Sequence, residues 1–366
     1  MNVSWLVAMA AAASIAALVA PPWVAGLIVL TCLVLARRSR ATLVTTTVVA
    51  LVINVAFFVV LVSDGNVLWQ LGWFKVTHGA LLKGIAGGLR LVAILGANTV
   101  LLDRVPPARL VASLNLPSRT KAWISALLLA ITDIVSDWRR LQTVARLRTR
   151  TQGKLRLAAE TIPSLLAASV RSAHARREAL RMAGYDTPTW FAPLIAVAAL
   201  ASAGRIALVA FPNVAFTYVV VFCGGVLFGP RIAAGAGALA MLVTDFYLSG
   251  FVLQSVANVP AMALIGIAGG LLGPTNWGGA GGRVLAASIG FLATIMFSIT
   301  SDSMEWLLVH ELRTTPGMLQ LRIQAGLVFN VVPALVNAAL FAWTVPSVWR
   351  ARLPLANAAW QRPVSP

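Results

Sequence analysis

Residues 169–190, "SVRSAHARREALRMAGYDTPTW", form a basic stretch in the middle of an otherwise apolar chain. Of the 366 residues, 59% are hydrophobic and 11% are charged, and the mean hydropathy is +0.85. A water-soluble domain cannot bury that much apolar surface, so the composition predicts a protein embedded in a lipid bilayer. The basic stretch is therefore predicted to lie outside the bilayer.

The positive charge is concentrated in one segment. The formal net charge is +18, and 15 of the 29 Lys and Arg residues fall between residues 101 and 189. Under the positive-inside rule this concentration predicts a single cytoplasmic segment. In a soluble protein the same charge would suggest nucleic-acid binding. Beside so many apolar runs it favours a membrane topology, and we expect no nucleic-acid partner.

Apolar runs in the first half predict four transmembrane helices, at 4–20, 22–36, 42–63 and 82–102, each about long enough for a ~30 Å hydrocarbon core. "ARRSRA" follows the second run and "LDRVPPAR" follows the fourth. Both basic turns are predicted to be cytoplasmic, which places the N-terminus in the cytoplasm too. The first run has no basic residue before it, which favours a membrane helix over a secretory signal.

The second half predicts six further crossings that return the C-terminus to the cytoplasm. Arg231 and Arg283 lie on predicted inside turns, in agreement with this orientation. The predicted fold is an all-α polytopic membrane protein with about four transmembrane helices, cytoplasmic helices and then a six-helix bundle. The six segments are 192–210, 213–229, 232–248, 254–273, 284–301 and 322–345.

The basic segment itself predicts an amphipathic helix. Arg171, His174 and Arg181 share one face, and Gly184 is suited to cap the C-terminal end. Two interpretations remain open: a helix that lies on anionic lipid, or a helix that docks on a cytosolic partner. The apolar positions at helical spacing are Ile162, Leu165, Leu166, Val170 and Ala173.

Small residues recur at spacings that allow close helix–helix contact. Ala199, Ala203 and Ala207 form a small-xxx-small ladder, which we interpret as a helix–helix interface. Two GxxxG pairs, at 225–229 and 266–270, predict further contacts.

The sequence lacks the motifs of several chemistries. It contains no G-x-x-x-x-G-K-[ST], so we expect no nucleotide site in this chain. His78, His174 and His310 are isolated, so we expect no metal site. The glycine-rich "NWGGAGGR" at 276–283 is interpreted as a flexible inside turn. We therefore predict no catalytic residues and no cofactor in the chain itself.

Residues of about 100–186 resemble the T component of energy-coupling factor (ECF) transporters. The resemblance rests on "SDWRRLQTVARLRTRTQG" and "SLLAASVRSAHARREALRMAGYD". In that family two cytoplasmic coupling helices end in short Ala-Arg-Gly-like motifs that seat in grooves of two ATPase subunits. This chain has Ala183 where the second motif usually has Arg. The resemblance implies ATPase-coupling roles for Arg146, Arg148, Arg150, Arg181, Gly184 and Tyr185.

The following half resembles an S component, the six-helix subunit that captures a micronutrient. The matching stretch is "AGRIALVAFPNVAFTYVVVFCGGVLFGPRIAAGAGALAMLVTDFYLSG", and the similarity covers about 195–273. The resemblance implies a T-like domain at 1–189 fused to an S-like domain at 190–366. It implies separate cytosolic ABC-type ATPases that use ATP and Mg²⁺, and a vitamin-like cargo, for which a cobalamin-like compound is favoured.

In S components the ligand lies near the outer face, and the predicted topology brings several polar residues there. Three of these residues have an alternative interpretation that needs no ligand. Asp245 would be a helix-end residue in water, Asn258 would make an interhelical hydrogen bond, and Trp306 would lie at the membrane interface. Rival functions are a lipid-modifying membrane enzyme and a non-transporting scaffold that binds anionic lipid. The predicted substrate-binding residues are Asn213, Asp245, Tyr247, Asn258 and Trp306.

Overall fold

Helices make up most of the computed structural model, and the chain folds into two compact units. The first unit comprises residues 1–115 and 245–252, and the second comprises 116–244 and 253–366. The structure describes residues 3–36, 40–61, 66–71, 74–105, 107–113, 116–148, 154–207, 216–249, 253–309 and 316–351.

The first unit contains four apolar helices close to the predicted positions. Thr77 caps the fourth of these helices, since its hydroxyl accepts a hydrogen bond from the backbone N–H of Ala80 at 3.2 Å. The elements are α1 (Val3–Val19), α2 (Pro22–Leu35), α3 (Arg40–Leu61), β1 (Val67–Leu71), β2 (Phe74–Thr77), α4 (His78–Arg104) and α5 (Pro107–Ser113).

The antiparallel pair β1–β2 departs from the all-α prediction. The pattern of apolar runs predicts only a plain outer connection for this stretch. Its residues include Val67, Trp69, Phe74 and Val76, and β-branched and aromatic side chains favour paired, extended backbone.

The second unit contains two long helices followed, in the described residues, by six apolar ones, except that residues 245–249, at the end of the third of these six, group with the first unit. The six agree in order and approximate position with the six predicted segments. The elements are α6 (Ser118–Arg148), α7 (Lys154–Met182), α8 (Phe191–Ala207), α9 (Phe216–Phe228), α10 (Pro230–Ser249), α11 (Leu253–Leu271), α12 (Gly279–Val309) and α13 (Pro316–Arg350).

Helices α6 and α7 share a hydrophobic core with the helices that follow them. Leu127 of α6 and Leu165 and Val170 of α7 are buried in the same cluster as Phe191 and Ile195 of α8. The first structural boundary along the chain therefore falls at residue 115, whereas the functional boundary was predicted at 189. The physical cause is that other helices of the second unit cover the apolar stripe of α7. The functional division at 189 stays a prediction.

Helices α9 and α11 approach closely through glycine. A Cβ atom on Gly225 would lie 2.5 Å from the carbonyl oxygen of Gly266 and 2.5 Å from the amide nitrogen of Gly270. A Cβ on Gly269 would lie 2.2 Å from the carbonyl oxygen of Phe222. Backbone meets backbone here, as the GxxxG spacing predicted for three of these positions.

The stretch "NWGGAGGR" is anchored at both ends rather than forming only a turn. Trp277 is completely buried, and its ring meets that of Phe222 edge-on with centroids 5.8 Å apart. Helix α12 begins directly afterwards, at Gly279. The interpretation of the whole stretch as a flexible turn is wrong. The buried Trp277 ring holds the first half of the stretch in place, and the second half belongs to α12.

Three helices of the described residues are long and apolar enough to cross a membrane. They lie within His78–Leu101, Gly279–Ser301 and Asn330–Arg350. Shorter apolar helices include Pro22–Leu35 and Ser255–Leu271. The fold is thus a helical protein with membrane-spanning character.

Candidate functional sites

The C-terminal end of α7 forms an ordered cap around Gly184. Gly184 has a φ of +84°, the left-handed conformation that glycine adopts without a Cβ clash. The Tyr185 N–H donates to the Leu180 carbonyl at 2.9 Å, and the Gly184 N–H donates to the Arg181 carbonyl at 3.0 Å. These two bonds make a Schellman motif, so the helix ends at a fixed point.

The capped end of α7 projects from the surface. Met182 is 83% exposed, and Ala183 and Gly184 are exposed beside it. The side chain of Arg181 is 60% exposed and lies 3.7 Å from the Glu178 carboxylate. An exposed methionine next to small residues and a cation makes a compact knob that is suited to a groove on another protein.

The chain that leaves the knob turns back and is tied to α7. The Arg177 guanidinium donates through Nε to the Thr187 carbonyl at 3.2 Å, and the Thr187 hydroxyl donates to the Arg177 carbonyl at 3.5 Å. Arg119 of α6 donates to the Asp186 carbonyl at 3.0 Å. Thr187 is buried, so the return segment is part of the folded unit. These contacts hold the return segment, which leads into α8, against the end of α7.

A charged contact also holds α6 and α7 together. Asp133 of α6 accepts hydrogen bonds from the Arg176 guanidinium and, at 3.4 Å, from the Ser172 hydroxyl of α7. Near the start of α6, the Trp123 ring packs against Trp190 and Phe191, with centroids 5.9 Å and 5.2 Å apart. The two basic helices and the start of α8 thus form one braced structure.

Only part of the predicted coupling set lies at the knob. Arg181, Gly184 and Tyr185 are there, on the end of α7. Arg146 and Arg148 lie in the last turn of α6, and nothing is described of their side chains. Arg150 lies outside the described residues. The sequence analysis did not identify Met182, because a methionine in an amphipathic helix gives no sign of whether it is exposed. The structure shows that it is exposed while the apolar face of α7 is buried.

The six helices α8–α13 are called the six-helix group below. Polar side chains lie together at one end of this group. Thr217, near the start of α9, donates to the Ala201 carbonyl, near the end of α8, at 3.1 Å. Ser301 of α12 donates to the Asn258 amide oxygen, near the start of α11, at 2.8 Å. The Tyr218 and Phe297 rings, with centroids 4.9 Å apart, connect α9 to α12. Alternating helix directions therefore bring these groups to the same end.

Arg205 places a cation at this polar end. Its guanidinium donates to the Thr244 hydroxyl at 2.6 Å and contacts the Met241 sulfur at 3.0 Å. Thr244 is fully buried on α10 and itself donates to the Ala240 carbonyl at 2.7 Å. A partly buried charge among apolar helices is costly unless it serves a structural or binding role. Its position inside an apolar run was the sequence signal for Arg205, which the predicted site did not include.

Two buried hydroxyls near this end have no hydrogen-bond partner among the described residues. They belong to Ser202 of α8 and Ser255 of α11, and both side chains are almost completely buried. Serines in helices usually donate to the carbonyl four residues earlier, as Ser169 does to Leu165 at 2.9 Å. An unsatisfied buried hydroxyl is unfavourable. Because both side chains are closed off from the surface, a ligand could bond to them only if the helices part at this end.

The predicted substrate-binding residues have different outcomes. Asn258 lies at the polar end and makes the interhelical hydrogen bond of the alternative interpretation, from Ser301. Asp245 is 4% exposed, so it is not a helix-end residue in water. It groups with the first unit rather than with Asn258. Tyr247 and Trp306 lie in α10 and α12 without described side chains, and Asn213 lies outside the described residues.

The small-residue ladder is buried where it is described. Ala199 and Ala203 of α8 lie in the core of the second unit, while nothing is described of the Ala207 side chain. Among the described residues, no group of three or more His, Cys, Asp or Glu side chains is placed to hold a metal ion. No family model, no curated protein and no solved structure matches this chain.

Proposed function

We propose that this chain is the membrane subunit of an ATP-driven importer of the ECF type. In this proposal the polar end of the six-helix group binds a vitamin or other micronutrient, with a cobalamin-like compound favoured. Two separate cytosolic ABC-type ATPases, which use ATP and Mg²⁺, drive uptake through the knob on α7. The chain is a multi-pass protein of the cell inner membrane with both termini in the cytoplasm.

The observation that carries the proposal is the exposed, capped end of α7. Arg181 and Met182 project from a helix whose Schellman motif and Thr187 contacts fix its end. Because the backbone of the knob is already fixed, docking costs only the side-chain entropy of Arg181 and Met182, which favours specific binding. Arg181 adds a guanidinium that binds carboxylates of a complementary groove.

The alternative function is a scaffold that binds anionic lipid, and the packing of α7 does not favour it. Leu165, Leu166, Val170 and Ala173 are buried in the protein core. A helix that lies on a membrane surface inserts its apolar face into the lipid boundary. Because the apolar face of α7 is already covered, what α7 presents outward is its polar face and the knob.

The polar end of the six-helix group supports the binding part of the proposal. It combines a guanidinium at Arg205, a phenol at Tyr218 and two unsatisfied hydroxyls in a largely apolar setting. Small-molecule sites have this character: mostly apolar walls with a few polar groups that orient the ligand. The buried Ala199 and Ala203 faces would let α8 shift against its neighbours during transport.

The test is co-purification of the tagged chain from its native host in mild detergent, followed by mass spectrometry. We expect ATPase subunits with P-loops to be retained, together with a bound small molecule. The paired variants Met182→Asp and Arg181→Glu should reduce the retained ATPase at least tenfold, because both alter the knob without touching the core.

Arg171→Glu is the matched control, since Arg171 is an exposed arginine on the same helix, away from its end. It should leave ATPase retention unchanged. Equal loss in all three variants would mean that only the overall charge of α7 matters. A parent chain that remains alone after cross-linking would overturn the coupling proposal. Loss of liposome binding without any ATPase partner would support the scaffold instead.

A further inference from the structure

An open apolar groove of about 420 Å³ lies among α1, α2 and α4 of the first unit. Its walls are almost entirely aliphatic, with Met9, Leu27 and Val100 among the lining residues. Its hydroxyl, on Thr31, donates to the Leu27 carbonyl of its own helix at 2.8 Å and is therefore satisfied. The groove thus offers a polar ligand almost no hydrogen bonds and offers a hydrocarbon chain a continuous surface.

Arg104 supplies the charge in the groove lining. It lies in the last turn of α4 and is exposed. Two further exposed arginines of the same unit, Arg40 at the start of α3 and Arg109 on α5, belong to the basic turns predicted to be cytoplasmic. A cation at the cytoplasmic surface attracts anionic lipid headgroups, and of these three arginines only Arg104 lines the groove.

The groove lining runs from Leu6 to Ala13 of α1, along most of α2 from Val24 to Leu35, and over the last two turns of α4. In the proposed membrane orientation α1 starts in the cytoplasm, whereas α2 and α4 end there. The charged end of the groove therefore lies at the cytoplasmic headgroup layer, and its apolar part extends into the inner leaflet.

We propose that this groove is a binding site for one anionic phospholipid, with an acyl chain in the groove and the phosphate at Arg104. The site is distinct from the polar end of the six-helix group and from the knob on α7. The proposal rests on the membrane orientation given above but not on ATPase coupling. The lipid would fill the apolar surface between α1, α2 and α4 and stabilise their packing.

The test uses the purified full chain reconstituted in mixed phosphatidylglycerol and phosphatidylcholine, then transferred to detergent for native mass spectrometry. We expect one retained phosphatidylglycerol per chain. Arg104→Gln should reduce the preference for phosphatidylglycerol about fivefold, the effect of one cation at a lipid surface. Arg104→Lys should keep it. Arg109→Gln, at an exposed residue outside the groove lining, is the matched control and should retain the lipid.

A second pair of variants tests the acyl-chain part of the site. Ala10→Phe fills the groove and should abolish lipid retention for both headgroups. Ala11→Phe adds the same bulk at an exposed, non-lining position on the same helix and should have no effect. Equal retention of both lipids by the parent chain, or retention unaffected by Ala10→Phe, would overturn the proposal, as would a dimeric mass that loses lipid and gains a second chain. Because the readout is lipid on the isolated chain, it is independent of whether ATPases are recovered.

Discussion

The two ends of the six-helix group in the second unit differ in how their helices contact one another. At the end with Arg231, Arg283 and Arg350, glycine lets backbones touch and the buried indole of Trp277 fills the space between helices. At the other end, Asn258, Ser301 and Thr217 make interhelical hydrogen bonds. The buried hydroxyls of Ser202 and Ser255 have no partner among the described residues, and at the glycine end the Trp277 indole N–H has none either.

The two kinds of contact lead to different expectations for protein stability and for cargo binding. A close-packed glycine contact gains dispersion energy and tolerates no added atom. Unsatisfied buried hydroxyls destabilise the protein without its ligand. A ligand that forms hydrogen bonds with them would remove this penalty. We therefore expect substitutions at the glycine end to reduce stability most, and substitutions at the polar end to reduce cargo binding most.

Gly269→Ala should have the largest effect on stability. The added Cβ would lie 2.2 Å from the Phe222 carbonyl oxygen, so α9 and α11 must separate. Overpacking of this kind costs about 1–3 kcal/mol. Thermal unfolding in detergent, followed by size-exclusion chromatography, measures it. Gly281→Ala is the control, because a Cβ there meets nothing within 4 Å. Equal melting temperatures for the two variants would contradict the close-packed contact.

Asn337→Leu tests the middle of the group, where an intermediate effect is expected. Its fully buried amide donates to the Thr294 hydroxyl of α12 at 3.0 Å. Interhelical hydrogen bonds in membranes contribute about 0.6 kcal/mol on average and up to about 1.7. A double-mutant cycle with Thr294→Val should give a coupling energy in that range. A coupling of zero would show that the two helices are held by packing alone.

Much of the helical order was predictable, because long apolar runs between basic turns have few alternative structures. The spacing also predicted contact faces at Gly225 and at the 266–270 pair, but it did not predict that these two would meet each other. The role of α7 in the core did not, since an apolar stripe indicates that something covers it without saying what. Likewise, Trp277 in a glycine-rich run gave no local sign that its ring would meet Phe222.

The candidate sites were harder to predict than the fold. Asn258 was predicted from its place on the outer side of the predicted topology, and the structure gives it the interhelical hydrogen bond of the alternative interpretation. Arg205 lies inside an apolar run and was not predicted. Ser202 and Ser255 were not identifiable, because serine in a membrane helix is ordinarily satisfied by its own backbone. Only the three-dimensional packing distinguishes these two from Ser169, whose hydroxyl donates to Leu165.

Ser301→Ala should change cargo retention more than stability. It removes the hydrogen bond to the Asn258 amide at the polar end. The loss of stability should be about 0.6 kcal/mol, the average for such bonds in membranes. The released amide no longer has a fixed orientation, so the co-purified small molecule should decrease severalfold. The result is measured by quantitative mass spectrometry of the bound compound against the unfolding temperature. A large fall in stability with unchanged cargo would assign Ser301 a purely structural role.

Ser202→Ala should have the smallest effect on stability and separates the two ends most clearly. The hydroxyl has no hydrogen-bond partner among the described residues, so removing it should leave stability within about 0.5 kcal/mol or raise it. Cargo retention should nevertheless fall, because the ligand loses a partner. Ser169→Ala, which removes a hydroxyl bonded within α7, serves as the control and should leave cargo unchanged. If Ser202→Ala keeps full cargo retention, the unsatisfied hydroxyl is a packing defect, and the binding site must be sought among Arg205 and Tyr218 alone.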